Sequence, residues 1–225
     1  MKISAVATTR NLLGPLVRAA FRIQVTGAHH VPTSGGLLLI ANHPGIADAT
    51  LLAAAAPRPL RVVTDAGAFA VAWSAVSAAS GRIVVADESD ASEALRVACD
   101  VIGHGEAVAM FPEGTLPSVD RPDRTAALGP AYVQVRTGVP VVPVAVLGTH
   151  GRRPTDPPAP RSVVDVVFGE AFVPSAPTDA CARAAIVDVA EVLRQRLADH
   201  VATARARTGR AEVGGAVPTG QDGVL

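Results

Sequence analysis

The stretch GLLLIANHPGIAD, residues 36–48, decides the fold of this 225-residue chain. It opens with an unbroken apolar run, Gly36–Ala41, which is typical of a strand buried on both faces of a parallel sheet. A turn containing Pro44 and Gly45 follows, and Asp48 stands where the next helix is expected to begin. This succession of strand, turn and helix predicts an α/β protein.

The same alternation of apolar runs and helical patterns continues along the chain. It predicts a mixed, largely parallel central sheet flanked by helices. The expected strands are Gly36–Ala41, Leu60–Thr64, Ile83–Ala86, Ala107–Phe111, Val141–Val146 and Val163–Phe168. The expected helices are Pro15–Phe21, Asp48–Ala56, Ala68–Ala79, Ala91–Ile102, Ala126–Thr137 and Thr178–Ala204.

The two ends of the chain differ in character from its middle. We divide it into an N-terminal amphipathic helical segment (1–24), a main domain (25–207) and a Gly-, Thr- and Val-rich tail (208–225) that is expected to be disordered. Two interpretations of the amphipathic helix stay open: it packs on the protein core, or it rests on a lipid surface. No apolar run reaches the ~18 residues that span a bilayer, so no transmembrane helix is expected.

Composition and charge exclude several classes of protein. Hydrophobic residues make up 49% of the chain, which excludes wholesale disorder, and its two cysteines form neither a disulfide framework nor a metal pair. Twenty basic and twenty acidic residues balance, so binding to nucleic acid through bulk charge is not expected. Residues 1–47, however, hold four basic residues and no acidic one, a net charge of +4. This asymmetry suits either an ordinary solvated face or an anionic partner such as a phosphate or a lipid headgroup.

The turn after the first apolar strand carries a candidate general base. A histidine at the end of a buried strand, as His43 is, packs poorly but presents its imidazole well. Asp48, five residues later, can accept a hydrogen bond from one ring nitrogen and leave the other one basic. Such a pair is suited to deprotonating a hydroxyl group.

A second turn, Phe111-Pro112-Glu113-Gly114-Thr115, follows another apolar strand. Glu113 stands beside a glycine that permits close approach of the backbone, and it suits hydrogen bonds to substrate hydroxyls. Because the carboxyl ends of parallel strands meet at one edge of a sheet, we expect the two turns to converge there.

Together these motifs resemble the PlsC-type glycerophospholipid acyltransferases, the lysophosphatidate acyltransferase family. The resemblance rests on Asn42-His43 with Asp48 and on residues 111–115, with weaker agreement at Gly81–Val85 and Val139–Val144. It runs from about Val25 to Phe172 and implies the α/β fold of glycerol-3-phosphate acyltransferases. It also implies an enzyme of phospholipid biosynthesis that moves a fatty acyl group from acyl-CoA or acyl carrier protein to a lysophospholipid hydroxyl, converting lysophosphatidate to phosphatidate. No metal and no cofactor are implied, and the expected place is peripheral, on the cytoplasmic side of a membrane.

The resemblance also implies roles for individual residues. His43 would take the proton from the acceptor hydroxyl as that hydroxyl attacks the thioester, and Asp48 would orient the imidazole. The expected substrate contacts are Asn42, Glu113, Gly114 and Thr115.

Two positions depart from the family pattern. Leu116 and Asp87 stand where the family usually has arginines, whose planar guanidinium suits the phosphate of the acceptor. The arginines expected to replace them are Arg82, Arg121 and Arg124. Two alternatives therefore stay open: an acyltransferase for a non-phosphate or unusual acceptor, and a lipid-binding protein of the membrane surface with weak or no turnover.

Overall fold

Seven strands and four α-helices make up the described part of the chain. A computed structural model describes residues 17–45, 47–65, 83–85, 91–112, 128–149, 151, 156, 158–175 and 182–210. The strands are β1 Arg22–Thr26, β2 Leu37–Ala41, β3 Leu60–Asp65, β4 Ile83–Val85, β5 Ala107–Met110, β6 Val141–Leu147 and β7 Val163–Phe168. The helices are α1 Asp48–Ala55, α2 Ala91–Gly103, α3 Leu128–Thr137 and α4 Ala182–Thr208, together with a helical turn at 17–20 and a 3-10 turn at Ala28–His30.

These strands form one sheet in the order β1-β7-β6-β2-β5-β3-β4. The five strands from β6 to β4 run parallel, whereas β7 pairs antiparallel with β6 and parallel with β1. The predicted mixed, largely parallel sheet is thus confirmed. Strand β2 lies between β6 and β5, in a register that pairs Ala41 with Val144 and Ile40 with Met110. The residues that follow β2 therefore leave the sheet at the carboxyl edge of three neighbouring parallel strands.

Strand β2 is buried along its whole length because packed elements cover both faces of the sheet. On one face Leu37, Leu39 and Ala41 join a hydrophobic cluster with helix α1 and with residues of the N-terminal turn. On the other face Leu38 and Ile40 pack with helices α2, α3 and α4. Two-sided burial explains why this strand is an unbroken apolar run rather than an alternating pattern.

Each of the six predicted strands is present, with ends that differ from the prediction by at most one residue. Four of the predicted helices correspond to α1, α2, α3 and α4, and α4 ends four residues later than predicted. The helix predicted at Ala68–Ala79 lies outside the described residues. Within the part of the chain that is described, none of the helices combines the length and the apolar character needed to cross a bilayer.

The described end of the N-terminal segment packs on the core. Val17 and Phe21 are buried members of the cluster that contains β2. The guanidinium Nη2 of Arg18 donates a hydrogen bond to the carbonyl of Ala54, near the end of α1, at 3.1 Å. For residues 17–21 the interpretation as a core-packed element therefore holds, whereas residues 1–16 lie outside the described residues.

Strand β1 is a correction to the sequence prediction. The sequence assigns residues up to 24 to a helical segment, whereas Arg22–Thr26 pairs with β7 along its whole length. As an edge strand it is largely exposed, and it alternates polar and apolar residues. It therefore lacks the apolar run that predicts the interior strands.

The C-terminal helix is a second correction. Helix α4 continues to Thr208, the residue at which the disordered tail is expected to begin. Nε of Arg210 then donates to Oδ2 of the buried Asp165 on β7 at 2.6 Å. Residues 208–210 are therefore part of the folded domain, because this ion pair ties them to the sheet. Residues 211–225 lie outside the described part of the chain.

Candidate active site

A buried hydrogen bond joins His43 to Asp48 directly beyond strand β2. Nδ1 of His43 and Oδ2 of Asp48 are 2.8 Å apart, and the two residues are 6% and 0% exposed. The strand places His43 at the carboxyl edge of the sheet, and Asp48 is the first residue of helix α1. The pairing expected from the five-residue spacing is therefore formed in the structure.

The turn between the two residues holds the carboxylate in place. The backbone N–H of Gly45 donates to the same Oδ2 of Asp48 at 2.8 Å, and the N-terminal end of α1 favours a negative charge there. Burial raises the pKa of Asp48 above its ordinary value of 3.8, while His43, the hydroxyl of Thr149 and the backbone N–H of Gly45 act in the opposite direction and lower that pKa. The ionised carboxylate fixes the proton on Nδ1, so Nε2 is the ring nitrogen suited to exchange a proton with a substrate.

Phe111, the first residue of the second predicted turn, contacts His43. The phenyl ring stacks on the imidazole, with centroids 4.3 Å apart and planes inclined by 22°. Phe111 directly follows β5, which is the neighbour of β2 in the sheet. The ends of these two parallel strands therefore meet at one edge of the sheet, as the positions of the two turns after apolar strands predict. The other expected site residues, Glu113, Gly114, Thr115, Arg82, Arg121 and Arg124, lie outside the described residues.

The side-chain amide of Asn42 hydrogen-bonds the backbone of strand β6. Its Nδ2 donates to the carbonyl of Val146 at 3.0 Å, and its Oδ1 accepts from the Val146 N–H at 2.7 Å. The residue is 4% exposed. The amide thereby extends the pairing of β2 with β6 by one step beyond the end of β2. The side chain thus holds these two strand ends together, and its expected contact with the substrate stays a prediction.

Thr149 and the ring of Phe111 are contacts of the pair to which sequence analysis gives no role. Thr149 is fully buried just beyond β6, and its hydroxyl lowers the pKa of Asp48. Both residues follow strands that flank β2, so both reach the same edge of the sheet. They could be found from the strand order, because each follows a strand that lies next to β2.

This arrangement can act as a general base. An imidazole held by a buried carboxylate at one nitrogen, with its ring face against an aromatic side chain, has a defined tautomer and a defined plane. The positive charge that it gains on taking a proton is stabilised by the adjacent carboxylate.

Comparison with known proteins gives three kinds of match. Residues 22–147 match the model of the Acyltransferase family. Uncharacterised proteins of Mycobacterium tuberculosis and Mycobacterium bovis are each 27% identical over 158 residues, covering 64% of this chain and 42% of the relative. The chain thus spans about two-fifths of the length of the curated relatives that it matches.

The third match is to a solved structure. The crystal structure of the 1-acyl-sn-glycerophosphate acyltransferase PlsC from Thermotoga maritima aligns with a TM-score of 0.63 at 16% identity. The alignment covers 91% of this chain and 80% of that one. At this level of identity the likeness concerns the fold.

Proposed function

Because the chain belongs to the Acyltransferase family, whose model matches more than half of it, we propose that it transfers a fatty acyl group from a thioester to the hydroxyl of a lysophospholipid. The observation that carries this proposal is the buried hydrogen bond between His43 and Asp48. A hydroxyl must lose its proton to attack a thioester, and this pair is the group in the described part of the chain that is built to accept one.

The proposed donor is acyl-CoA or an acyl carrier protein, and the proposed acceptor is lysophosphatidate, which gives phosphatidate. The fold of the solved 1-acyl-sn-glycerophosphate acyltransferase supports this choice of acceptor. The +4 charge of residues 1–47 supports a partner with anionic headgroups. We therefore place the protein at the surface of a membrane during turnover.

The proposed reaction is a direct displacement at the thioester carbonyl. Nε2 of His43 takes the proton of the acceptor hydroxyl while the hydroxyl oxygen bonds to the acyl carbon. The C–S bond then breaks, and the thiolate leaves. The proton held by His43 passes to this sulfur, which restores the base. No acyl-enzyme intermediate is required, because the acceptor oxygen attacks the carbonyl itself.

Contacts to the acceptor are assigned to residues of the second turn and to nearby arginines. We propose that Glu113 and Gly114 bind the glycerol hydroxyls and that Thr115 shapes the turn. Arg121 and Arg124, with Arg82, are proposed to bind the phosphate, because guanidinium groups match its oxygens in pairs.

A second candidate function is acyl transfer to an acceptor without a phosphate. It is favoured by Leu116 and Asp87, which stand where related enzymes usually carry arginines. Under this proposal the same pair of His43 and Asp48 would activate the hydroxyl, and the arginines named above would have no role in the choice of acceptor.

The test is an acyl-transfer assay on the purified protein with labelled acyl-CoA and labelled acyl carrier protein. The acceptors are lysophosphatidate, a lysophospholipid with a larger headgroup, and monoacylglycerol. We expect phosphatidate as the main product and its loss in His43→Ala. The matched control is His104→Ala, because His104 is an exposed histidine at the end of α2, before the start of β5.

Each outcome of this assay decides between the candidates. Product from monoacylglycerol alone would replace the first proposal by the second. Lipid binding without product from any acceptor would show a lipid-binding protein instead of an enzyme. Equal activity of wild type and His43→Ala would remove the imidazole from the mechanism.

A further inference from the structure

The two oxygens of the Asp48 carboxylate have unequal surroundings. Oδ2 meets both Nδ1 of His43 and the N–H of Gly45. Oδ1 is also buried, yet it accepts no hydrogen bond from any of the described residues. A buried carboxylate oxygen needs a donor, since its water of hydration has been removed.

A candidate donor follows β6, the strand that pairs with β2. Thr149 is 0% exposed, and its Oγ1 is likewise buried without a completed hydrogen bond to any described group. Its hydroxyl acts on Asp48 in the direction expected of a donor, because it lowers the pKa of that carboxyl. A single hydrogen bond from this hydroxyl to Oδ1 of Asp48 would satisfy both oxygens at once.

The backbone holds Thr149 in this place. Asn42 binds both the N–H and the carbonyl of Val146, three residues earlier. Gly148, directly before the threonine, has a φ of +80°, which turns the chain at the end of β6. The segment that carries Thr149 is therefore fixed against the end of β2, next to the residues that form the pair.

We propose that Thr149 is a positioning residue, whose hydroxyl donates to Oδ1 of Asp48 and so keeps Oδ2 directed at His43. With a donor on each oxygen, the carboxylate cannot turn about its Cβ–Cγ bond without breaking a hydrogen bond. The imidazole then keeps its tautomer and its orientation. The consequence for catalysis rests on the proposed function, whereas the hydrogen bond itself does not.

The test uses the free protein and needs no substrate. The imidazole signals of His43 are followed by NMR as a function of pH in wild type, Thr149→Val and Thr149→Ser. Valine has the shape of threonine without its hydroxyl, and serine keeps the hydroxyl. Among the described residues, His43 is the titratable group that acts on Asp48, so the titration belongs to the pair as a unit.

The sign of the expected change follows from the hydrogen bond. Loss of a donor to the ionised carboxylate makes the pair bind a proton more tightly, so the titration midpoint rises. We expect a rise of about one pH unit in Thr149→Val. In Thr149→Ser we expect the midpoint within about 0.3 pH unit of wild type, because the donor is retained.

An unchanged midpoint in Thr149→Val would overturn the proposal, whatever happens to activity. If Thr149→Val reduces acyl transfer while the titration midpoint is unchanged, the hydroxyl contacts the substrate instead of Asp48. Should the valine variant fail to fold, Thr149→Ala is titrated in its place with the same expected rise. If the midpoint rises in Thr149→Val but the wild-type protein transfers no acyl group, the hydrogen bond is supported and only the proposed function is refuted.

Discussion

The phenyl ring of Phe111 stacks on the imidazole of His43, with centroids 4.3 Å apart and planes inclined by 22°. The contact joins the ends of two adjacent parallel strands, β5 and β2. Among the described residues, Asp48 binds the imidazole at Nδ1, and the phenyl ring of Phe111 covers one of its faces. The hydrogen bond at Nδ1 and the stacking on the ring together fix the direction in which Nε2 points.

The stacking contact predicts a moderate effect of Phe111→Leu on acyl transfer. Leucine keeps an apolar side chain but loses the flat surface that holds the imidazole. An aromatic pair of this kind contributes about 0.5–1.5 kcal/mol, so we expect kcat to fall roughly 2- to 10-fold with little change in KM for the acceptor. Steady-state kinetics with the best acceptor of the assay measure both constants.

Phe111→Tyr is the matched control, because tyrosine preserves the ring face. It should retain most of the activity of wild type. Equal losses in the leucine and tyrosine variants would show that the ring face has no part in orienting His43.

The raised pKa of Asp48 predicts how stability depends on pH. Burial makes the ionised form of this carboxyl less favourable in the folded protein than in the unfolded chain. A carboxyl with a raised pKa contributes stability that is complete below its ordinary value of 3.8 and is lost as the pH rises through the folded pKa. Asparagine cannot ionise, so Asp48→Asn lacks this dependence.

The free energy of unfolding of wild type, minus that of Asp48→Asn, should therefore be greatest near pH 3.5 and decline toward neutral pH. Urea unfolding of both proteins from about pH 3.5 to pH 7 measures the difference, in which the titration of most other groups cancels. If the difference in free energy of unfolding grew with pH instead, the hydrogen bonds to Asp48 would lower its pKa by more than burial raises it.

Asn42 is predicted to stabilise the folded protein, because its side chain joins the end of β2 to β6. In Asn42→Ala the N–H and the carbonyl of Val146 both lose their partner at a buried position. Each unsatisfied buried group costs about 1–3 kcal/mol, so for the two groups together we expect a loss of about 2–6 kcal/mol in the free energy of unfolding. Chemical denaturation monitored by circular dichroism measures it.

Gln195→Ala is the control for loss of a side-chain amide. The amide of Gln195 hydrogen-bonds Asp199 on the exposed face of α4, and we expect a change within about 0.5 kcal/mol. A loss in Asn42→Ala no greater than in this control would assign Asn42 back to the substrate.

The sequence predicts the interior of the sheet better than its edge. Strands such as β2 are unbroken apolar runs because both of their faces are covered, and such runs are visible without a structure. Strand β1 pairs with β7 across more than a hundred residues of chain and is mostly exposed. Its residues carry no comparable signal, so a helical segment is the simpler prediction from sequence.

In the candidate site, too, some contacts can be predicted from the sequence and others cannot. His43 and Asp48 are five residues apart, so a local turn brings them together and their spacing is enough to predict the pair. The roles of Asn42 and Thr149 depend on β6, which follows β2 by about a hundred residues and lies beside it only through the strand order. A contact of that kind cannot be derived from spacing along the chain.

Gly148 tests whether the backbone at the end of β6 supports the site. Its φ of +80° is a conformation that residues with a side chain rarely adopt. A Cβ at this position would lie 2.6 Å from the carbonyl oxygen of Val163, which as a backbone atom cannot easily move away. Gly148→Ala should therefore lose about 2–4 kcal/mol of stability and, because Thr149 is displaced with it, acyl-transfer activity as well.

The Gly35→Ala variant measures the cost of backbone strain alone, without a steric clash of the added Cβ. Gly35 has nearly the same φ, +82°, but a Cβ there would meet nothing within 4 Å. It lies before β2, at the edge of the sheet opposite His43, so its substitution should cost about 1 kcal/mol and leave activity unchanged. Thermal unfolding and the acyl-transfer assay on both variants make the comparison. If Gly148→Ala behaved like Gly35→Ala in both measurements, the turn after β6 would not be what holds Thr149 against the pair of His43 and Asp48.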